Sequence, residues 1–356
     1  MITNRIEKVQ AQLEKNSAAF ISNTASLVYL TELTHSEGYL LLFSDNFYYL
    51  TDSRYTEAAK KVINSQNVIE FSRPLDTVNK LLKRHNANML YIEPESVSVS
   101  QFEKIKNALN GVMVLKDKKI QDKITLLREI KDDREIENIK QAQKITDNGF
   151  SYILQKIKKG VTERQIALDL EFFMRKEGSD GVSFDIIAIS GKNTSMPHGV
   201  PTDKVIEDGD FVTLDFGAVV NGYHSDMTRT VAVGGVSDEQ INVYNTVLKA
   251  QQAALESITA GKKCSDIDKI ARDIIANAGY GQCFRHALGH GVGVEIHESP
   301  NFSPKSEKIT QMGNIITVEP GIYIENKFGV RIEDMICVTE NGILNFTHSP
   351  KELIIV

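Results

Sequence analysis

The amino-acid sequence predicts an α+β protein of two domains, and three observations carry that expectation. The chain has 356 residues, more than one ordinary small domain accommodates. Its first part alternates short aromatic and β-branched runs with segments of helical spacing. Its second half changes character: glycines and turn pairs become frequent, and strand patterns dominate between a few helices.

The elements follow in order. Ile2, Ile6, Val9 and Leu13 recur at helical spacing within Met1 to Lys15. Phe20–Ile21, Leu27–Leu30, Tyr39–Phe43 and Phe47–Leu50 read as short strands, Thr56 to Asn64 and Thr77 to Arg84 as helices, and Met89–Ile92 as a further strand. Leu126 to Leu154 is a long helical stretch with few breakers, and its charged run from Arg128 to Glu135 reads as a solvated face. It is taken as the opening of the second domain, with the boundary near Asp122, so that a smaller α/β domain spans 1–121 and a larger one 122–356. Within the second, Thr162–Glu177, Asp238–Ala260 and Ser265–Asn277 have helical patterns.

Composition narrows the class. Lys plus Arg is 41 and Asp plus Glu is 47, a net charge of −6. A mildly acidic chain lacks the basic surface that nucleic acid requires, so no nucleic-acid partner is expected. No uncharged apolar run approaches the roughly 18–20 residues that span a bilayer, and the first twenty residues lack a signal-peptide core. Cys264, Cys283 and Cys337 form a sparse, odd set that reads as reduced thiols, with a cytoplasmic location as the expectation.

The chemistry concentrates in three segments. In the first, two strand-like runs flank Asn221-Gly222, a strong two-residue hairpin signal. That turn sets Val220 opposite Tyr223, Gly217 opposite Asp226 and Asp215 opposite Thr228. Asp215 and Asp226 then become diagonal neighbours on one face, about 7–8 Å apart at the backbone. A glycine opposite Asp226 is expected to leave room in front of it. Two converging carboxylates repel each other unless a proton or a cation intervenes. The alternative is that Asp215 pairs with Arg229 or caps a loop.

The second segment, Arg285 to Pro300, interleaves His286, His290 and His297 with Gly289, Gly291 and Gly293, whose missing side chains let something approach the backbone. In the third, Glu319 ends an apolar strand at Pro320-Gly321, and Glu333 sits in an apolar strand with Arg331 on its face. A carboxylate at a buried strand end is costly unless paired or metal-bound; the alternative is a Glu333–Arg331 surface pair. Four carboxylates and one imidazole form an oxygen-rich donor set suited to divalent Mn, Co, Fe or Zn rather than a thiolate site.

At these residues the sequence resembles the pita-bread metallopeptidases, which include aminopeptidase P, prolidase and methionine aminopeptidase. Leu-Asp-Phe-Gly, Ser-Asp-Met-Thr-Arg, Gly-His-Gly-Val-Gly, Val-Glu-Pro-Gly and Arg-Ile-Glu-Asp carry the likeness. Ser190 to Gly199, His297-Glu298-Ser299-Pro300 and Gly329-Val330-Arg331 resemble segments of the proline-directed branch, while Tyr29-Leu30-Thr31 and Thr51 to Tyr55 resemble a creatinase-type N-terminal domain.

The resemblance implies a curved antiparallel pita-bread sheet covered by helices. It implies two divalent metals held by Asp215, Asp226, His290, Glu319 and Glu333, with Asp215 and Glu333 bridging and Mn the expected ion. A water shared by the metals would attack the peptide carbonyl before proline, with Glu319 as proton carrier. His198, His297 and Arg331 would act on the substrate together with His286. The reading preferred from sequence is an Xaa-Pro aminopeptidase acting on peptides with proline at the second position. An Xaa-Pro dipeptidase limited to two-residue substrates is the alternative, and a non-catalytic binding module the remote one. A homodimer is expected by the same resemblance.

Overall fold

The computed structural model describes Ile2–Val356; Met1, which the first expected helix includes, lies outside the described residues. The chain divides into two compact units, one ending at Arg128 and one spanning Glu129–Val356.

In the first unit, Ser17–Ile21 runs antiparallel to Gly38–Phe43 and parallel to Met89–Ile92. Phe47–Thr51 and Val68–Glu70 extend the sheet beyond Gly38–Phe43, and Met113–Leu115 extends it beyond Met89–Ile92. Leu41, Phe43 and Leu50 on one face pack against Val78, Leu81 and Leu82 of the helix Pro74–Arg84. Leu27–Leu30, expected as a strand, lies in the helix Thr24–Thr31. The side chain of Asn23 accepts a hydrogen bond from the Ser26 N–H at 2.9 Å and caps that helix. An apolar run this short does not reveal its period, so the cap decides.

The charged stretch is two helices, Lys119–Glu129 and Asp133–Ile153. Asp132 interrupts it by forming a capping box with Glu135. The expected solvated face is instead largely buried: Glu129, Lys131 and Glu135 are each no more than 5% exposed. Each has a partner. Lys131 pairs with Glu298 at 3.3 Å, Glu129 accepts from Lys308, and Glu135 accepts from the Tyr223 hydroxyl at 3.1 Å.

The second unit carries antiparallel sheets beneath two helix pairs. Helices Asp133–Ile153 and Glu163–Lys176 cover Phe211–Phe216 and Met227–Ala232, through Phe150, Leu170 and Met174 against Leu214, Phe216 and Met227. Helices Asp238–Ser257 and Cys264–Asn277 cover Ile315–Val318 and Asp334–Thr339, through Val247, Ala271 and Ile275 against Ile316, Val318 and Ile336. The sequence expectation of an α+β chain with a helix-covered antiparallel sheet and a smaller α/β domain matches this architecture. Among the described residues no helix is long and apolar enough to cross a membrane.

The hairpin has the expected register. Val220 faces Tyr223 and Asp215 faces Thr228, and Asn221 and Gly222 both have positive φ, as a primed turn requires. Leu214 and Phe216 point to the core, so Asp215 and Thr228 point away from it. Gly217 has a different reason from the one expected. A Cβ there would lie 1.8 Å from the Ser225 carbonyl oxygen, so the backbone itself fills the space. Gly217→Ala is expected to cost about 1–3 kcal/mol by overpacking and to displace Asp226; a denaturant melt beside wild type checks it.

Candidate metal centre and cleft

Asp215, Asp226, His290, Glu319 and Glu333 line one cavity of about 990 Å³. Strand ends and interruptions place each of them. Asp215 is the penultimate residue of Phe211–Phe216, and Asp226 immediately precedes Met227–Ala232. His290 is the centre of Gly289–Gly291, and Glu319 follows Ile315–Val318. Glu333, expected inside a strand, lies in the break between Phe328–Arg331 and Asp334–Thr339. There the chain leaves its partner Gly321–Ile324 and joins Ile315–Val318. The Glu333 N–H donates to the Thr228 carbonyl at 3.1 Å instead.

Neither alternative pairing forms. Arg229 pairs with Asp334 at 2.8 Å, and Arg331 donates to Asp215 Oδ2 at 2.6 Å. Glu333 Oε2 accepts from Thr228 Oγ1 at 2.7 Å, and Thr228 Oγ1 accepts from Arg331 Nε at 3.0 Å. This leaves Asp215 Oδ1, Asp226 Oδ1 and Glu333 Oε1 buried without a hydrogen-bond partner among the described residues. Burial pushes the carboxyls of Asp226 and Glu333 well above the usual range, and repulsion adds to it, chiefly from Glu333 on Asp226 and from Glu319 and Asp215 on Glu333. Burial also raises Glu319, to about 8, against the opposing effect of Arg331.

His290 Nδ1 lies 3.1 Å from the Gly291 carbonyl, which only accepts, so Nδ1 carries the hydrogen. Burial, with His297 adding to it, lowers the His290 pKa to about 4, so the ring is neutral and Nε2 presents a lone pair. That lone pair faces Asp226 Oδ2 and Glu319 Oε1, each at 3.5 Å. The Glu319 oxygen also accepts from the Thr317 hydroxyl at 3.4 Å. Ligand atoms of Asp226, His290 and Glu333 also lie within 4.8 Å of one another. This donor set fits a divalent cation.

The interleaved glycines admit protein rather than ligand. A Cβ on Gly289 would meet the Thr317 carbonyl at 1.9 Å, one on Gly291 the Ser299 carbonyl at 2.7 Å, and one on Gly293 the Glu298 carboxylate at 2.6 Å. They let neighbouring chain close against the His290 strand and fix its ring.

His198, His286, His297 and Arg331 line the same cavity. His198 and His297 are solvent-exposed, and the His297 ring stands edge-on to His290 with centroids 4.3 Å apart. Arg331 is buried; burial disfavours its charge, but Tyr323, Asp215 and Glu319 outweigh that and hold it protonated. Its Nη1 donates to the Tyr323 hydroxyl at 2.8 Å and to the Pro197 carbonyl at 3.3 Å. The Tyr323 hydroxyl lies 3.0 Å from His286 Nε2, whose Nδ1 donates to the Ala287 carbonyl. Burial and the Arg331 charge lower His286 to about 4, so it accepts from Tyr323. Sequence reasoning missed Tyr323 and Thr228. The hairpin register had already put Thr228 opposite Asp215, a usable signal; Tyr323 left none.

Residues 137–340 match the family described as metallopeptidase family M24, and residues 5–130 match the creatinase/prolidase N-terminal domain. An Xaa-Pro dipeptidase of Pyrococcus furiosus is 38% identical, the match covering 98% of this chain and 99% of that protein. A solved Xaa-Pro dipeptidase from Bacillus anthracis superposes with a TM-score of 0.95 at 40% identity, over 100% of both chains. A solved X-Pro aminopeptidase from Thermotoga maritima superposes with a TM-score of 0.92 at 37% identity, over 100% of this chain and 99% of that one.

Proposed function

Since the chain belongs to metallopeptidase family M24 and carries a creatinase/prolidase-type N-terminal domain, we propose that it is an Xaa-Pro dipeptidase, hydrolysing the bond before proline in two-residue substrates. The observation that carries a metal-dependent reaction is three buried carboxylate oxygens, of Asp215, Asp226 and Glu333, that have no hydrogen-bond partner among the described residues and line one cavity with the neutral imidazole of His290. The aminopeptidase preferred from sequence gives way to its alternative because relatives at 38% and 40% identity bear the name Xaa-Pro dipeptidase.

Asp215, Asp226, His290, Glu319 and Glu333 would hold two divalent cations, with manganese proposed on the oxygen-rich set. Asp226, His290 and Glu333 would contribute ligand atoms that already lie within 4.8 Å of one another, and Asp215 would contribute Oδ1, since its Oδ2 is taken by Arg331. Such cations polarise a carbonyl and make water acidic enough to react near neutral pH. Glu319, which lines the cleft beside His290, would take the proton of the attacking water and deliver it to the departing proline nitrogen. That nitrogen belongs to a tertiary amide with no N–H to donate to the protein, so recognition must read ring shape instead. His198 and His297 donate to the carbonyl oxygen as it gains charge. Arg331 holds Asp215 and, through Pro197, the segment bearing His198. His286 orients the Tyr323 hydroxyl beside the substrate. A homodimer and a cytoplasmic location are proposed on the family resemblance and the reduced thiols.

Ala-Pro assayed beside a longer peptide beginning Ala-Pro tests the reading. Rapid cleavage of the dipeptide alone is expected; comparable cleavage of both restores the aminopeptidase. His297→Ala is expected to lower kcat about 10²–10³-fold, the loss of one oxyanion donor, with metal content unchanged by elemental analysis. Wild-type turnover in that variant removes His297 from the mechanism.

A further inference from the structure

We propose that Glu163 is a positioning residue for the reaction: its buried carboxylate ties together both ends of the 190–202 loop and so sets where His198 stands in the cleft. The inference rests on the reading above for the role of His198, and on geometry alone for the loop.

Glu163 is 1% exposed and opens the helix Glu163–Lys176, yet its carboxylate serves none of that helix's N–H groups. The helix is capped by Thr162, which accepts from the Gln165 N–H at 3.2 Å. Glu163 Oε1 accepts from the Ser190 N–H at 2.6 Å, the Ser190 hydroxyl at 3.1 Å and Asn193 Nδ2 at 2.9 Å. Oε2 accepts from the Thr202 N–H at 3.0 Å and the Thr202 hydroxyl at 2.7 Å. One oxygen holds the loop's first residues and the other its last. Between them the chain carries Pro197, whose carbonyl meets Arg331, and the exposed His198. Among the described residues no hydrogen bond holds the His198 side chain, so its position follows from the loop, which Glu163 ties at both ends and which Arg331 on Pro197 and the Gly329 N–H on Thr194 hold between them.

A carboxylate suits this task because both oxygens only accept. In Glu163→Gln, whichever way the amide turns, its NH₂ faces a backbone N–H, and one end of the loop is released.

The test uses the full chain. Hydrogen exchange followed by mass spectrometry, without and with manganese, is expected to quicken about tenfold or more across 190–202 in Glu163→Gln, as local opening becomes easier. Thr162→Ala, which weakens the same helix through its cap, is expected to quicken exchange only in the first turn of 163–176. In metal-loaded protein, Glu163→Gln lowers kcat roughly 10–100-fold through misplacement with bound metal unchanged. His198→Ala, severe in wild type, then costs less than about threefold in the Glu163→Gln background, because the two act through one device. Equal cost of His198→Ala in both backgrounds, or unchanged exchange across 190–202, overturns the proposal. If wild type cleaves no Xaa-Pro dipeptide, the function proposed above fails and the exchange comparison alone decides the role of Glu163. Should Glu163→Gln not fold, Asn193→Ala and Thr202→Val each remove one donor; unchanged loop exchange in both is the overturning result.

Discussion

His290→Ala is expected to abolish turnover, lowering kcat/KM on Ala-Pro by about 10³-fold or more, while the fold persists. Losing a cation's several kcal/mol of transition-state stabilisation corresponds to a change of that order. His290 presents its lone pair to the cleft and keeps its other nitrogen on the Gly291 carbonyl, so the substitution removes a donor and little packing. Asp226→Asn is the matched variant: it keeps the shape and removes the charge. It is expected to abolish turnover as well, yet to leave the metal-free protein at least as stable as wild type, since it relieves repulsion from Glu333, Asp215 and Glu319. Elemental analysis, circular dichroism and steady-state assays check both. Wild-type turnover in a metal-replete His290→Ala protein would dismiss His290 as a ligand.

The second large effect is the response of stability to pH when metal is stripped. Asp226, Glu319 and Glu333 all have folded-state pKa values raised above their ordinary ones, Glu319 to about 8. A raised carboxyl binds its proton more tightly folded than unfolded, so folding is favoured fully below the ordinary carboxylate range. That contribution is lost as pH climbs through the folded-state values. The metal-free protein is therefore expected to melt progressively lower from about pH 5 to about pH 8, counter to ordinary acid sensitivity. Adding manganese is expected to reverse the trend, raising the midpoint most at the alkaline end, where the carboxylates are free to bind. Thermal scans with chelator and with metal, at matched ionic strength, measure it. A metal-free midpoint that rises steadily over that span contradicts the buried-carboxylate account.

Where the sequence was legible, local geometry left little freedom. Asn221-Gly222 admits one register, and side-chain alternation then carries Asp215 and Thr228 to one face. The five ligand candidates and the cleft histidines were legible because their residue types are costly to bury and stood in short, recognisable surroundings. Elsewhere the deciding partner lies far along the chain. Glu129 and Lys131 look solvated until Lys308 and Glu298, more than 160 residues on, meet them. Arg331, for which the sequence offered Glu333 two residues away only as an alternative partner, reaches Asp215, 116 residues back. Gly289 and Gly291 were read as letting something approach the backbone, but only the fold shows that it is the Thr317 and Ser299 carbonyls. Leu27–Leu30 failed for a local reason: four apolar residues fit either period, and the cap at Asn23 was overlooked.

The two helix pairs of the second unit build separate cores, and the candidate ligands are divided between them. Asp215 and Asp226 come from strands under the first pair; Glu319 and Glu333 come from strands, or breaks in strands, under the second. An ion held by both sets is a cross-link as much as a reagent. Opening either half would surrender it, so a bound ion would join two cores in a single cooperative transition. Partial unfolding and metal loss would then be the same event, and a fragment carrying one half would lack the other half's ligands.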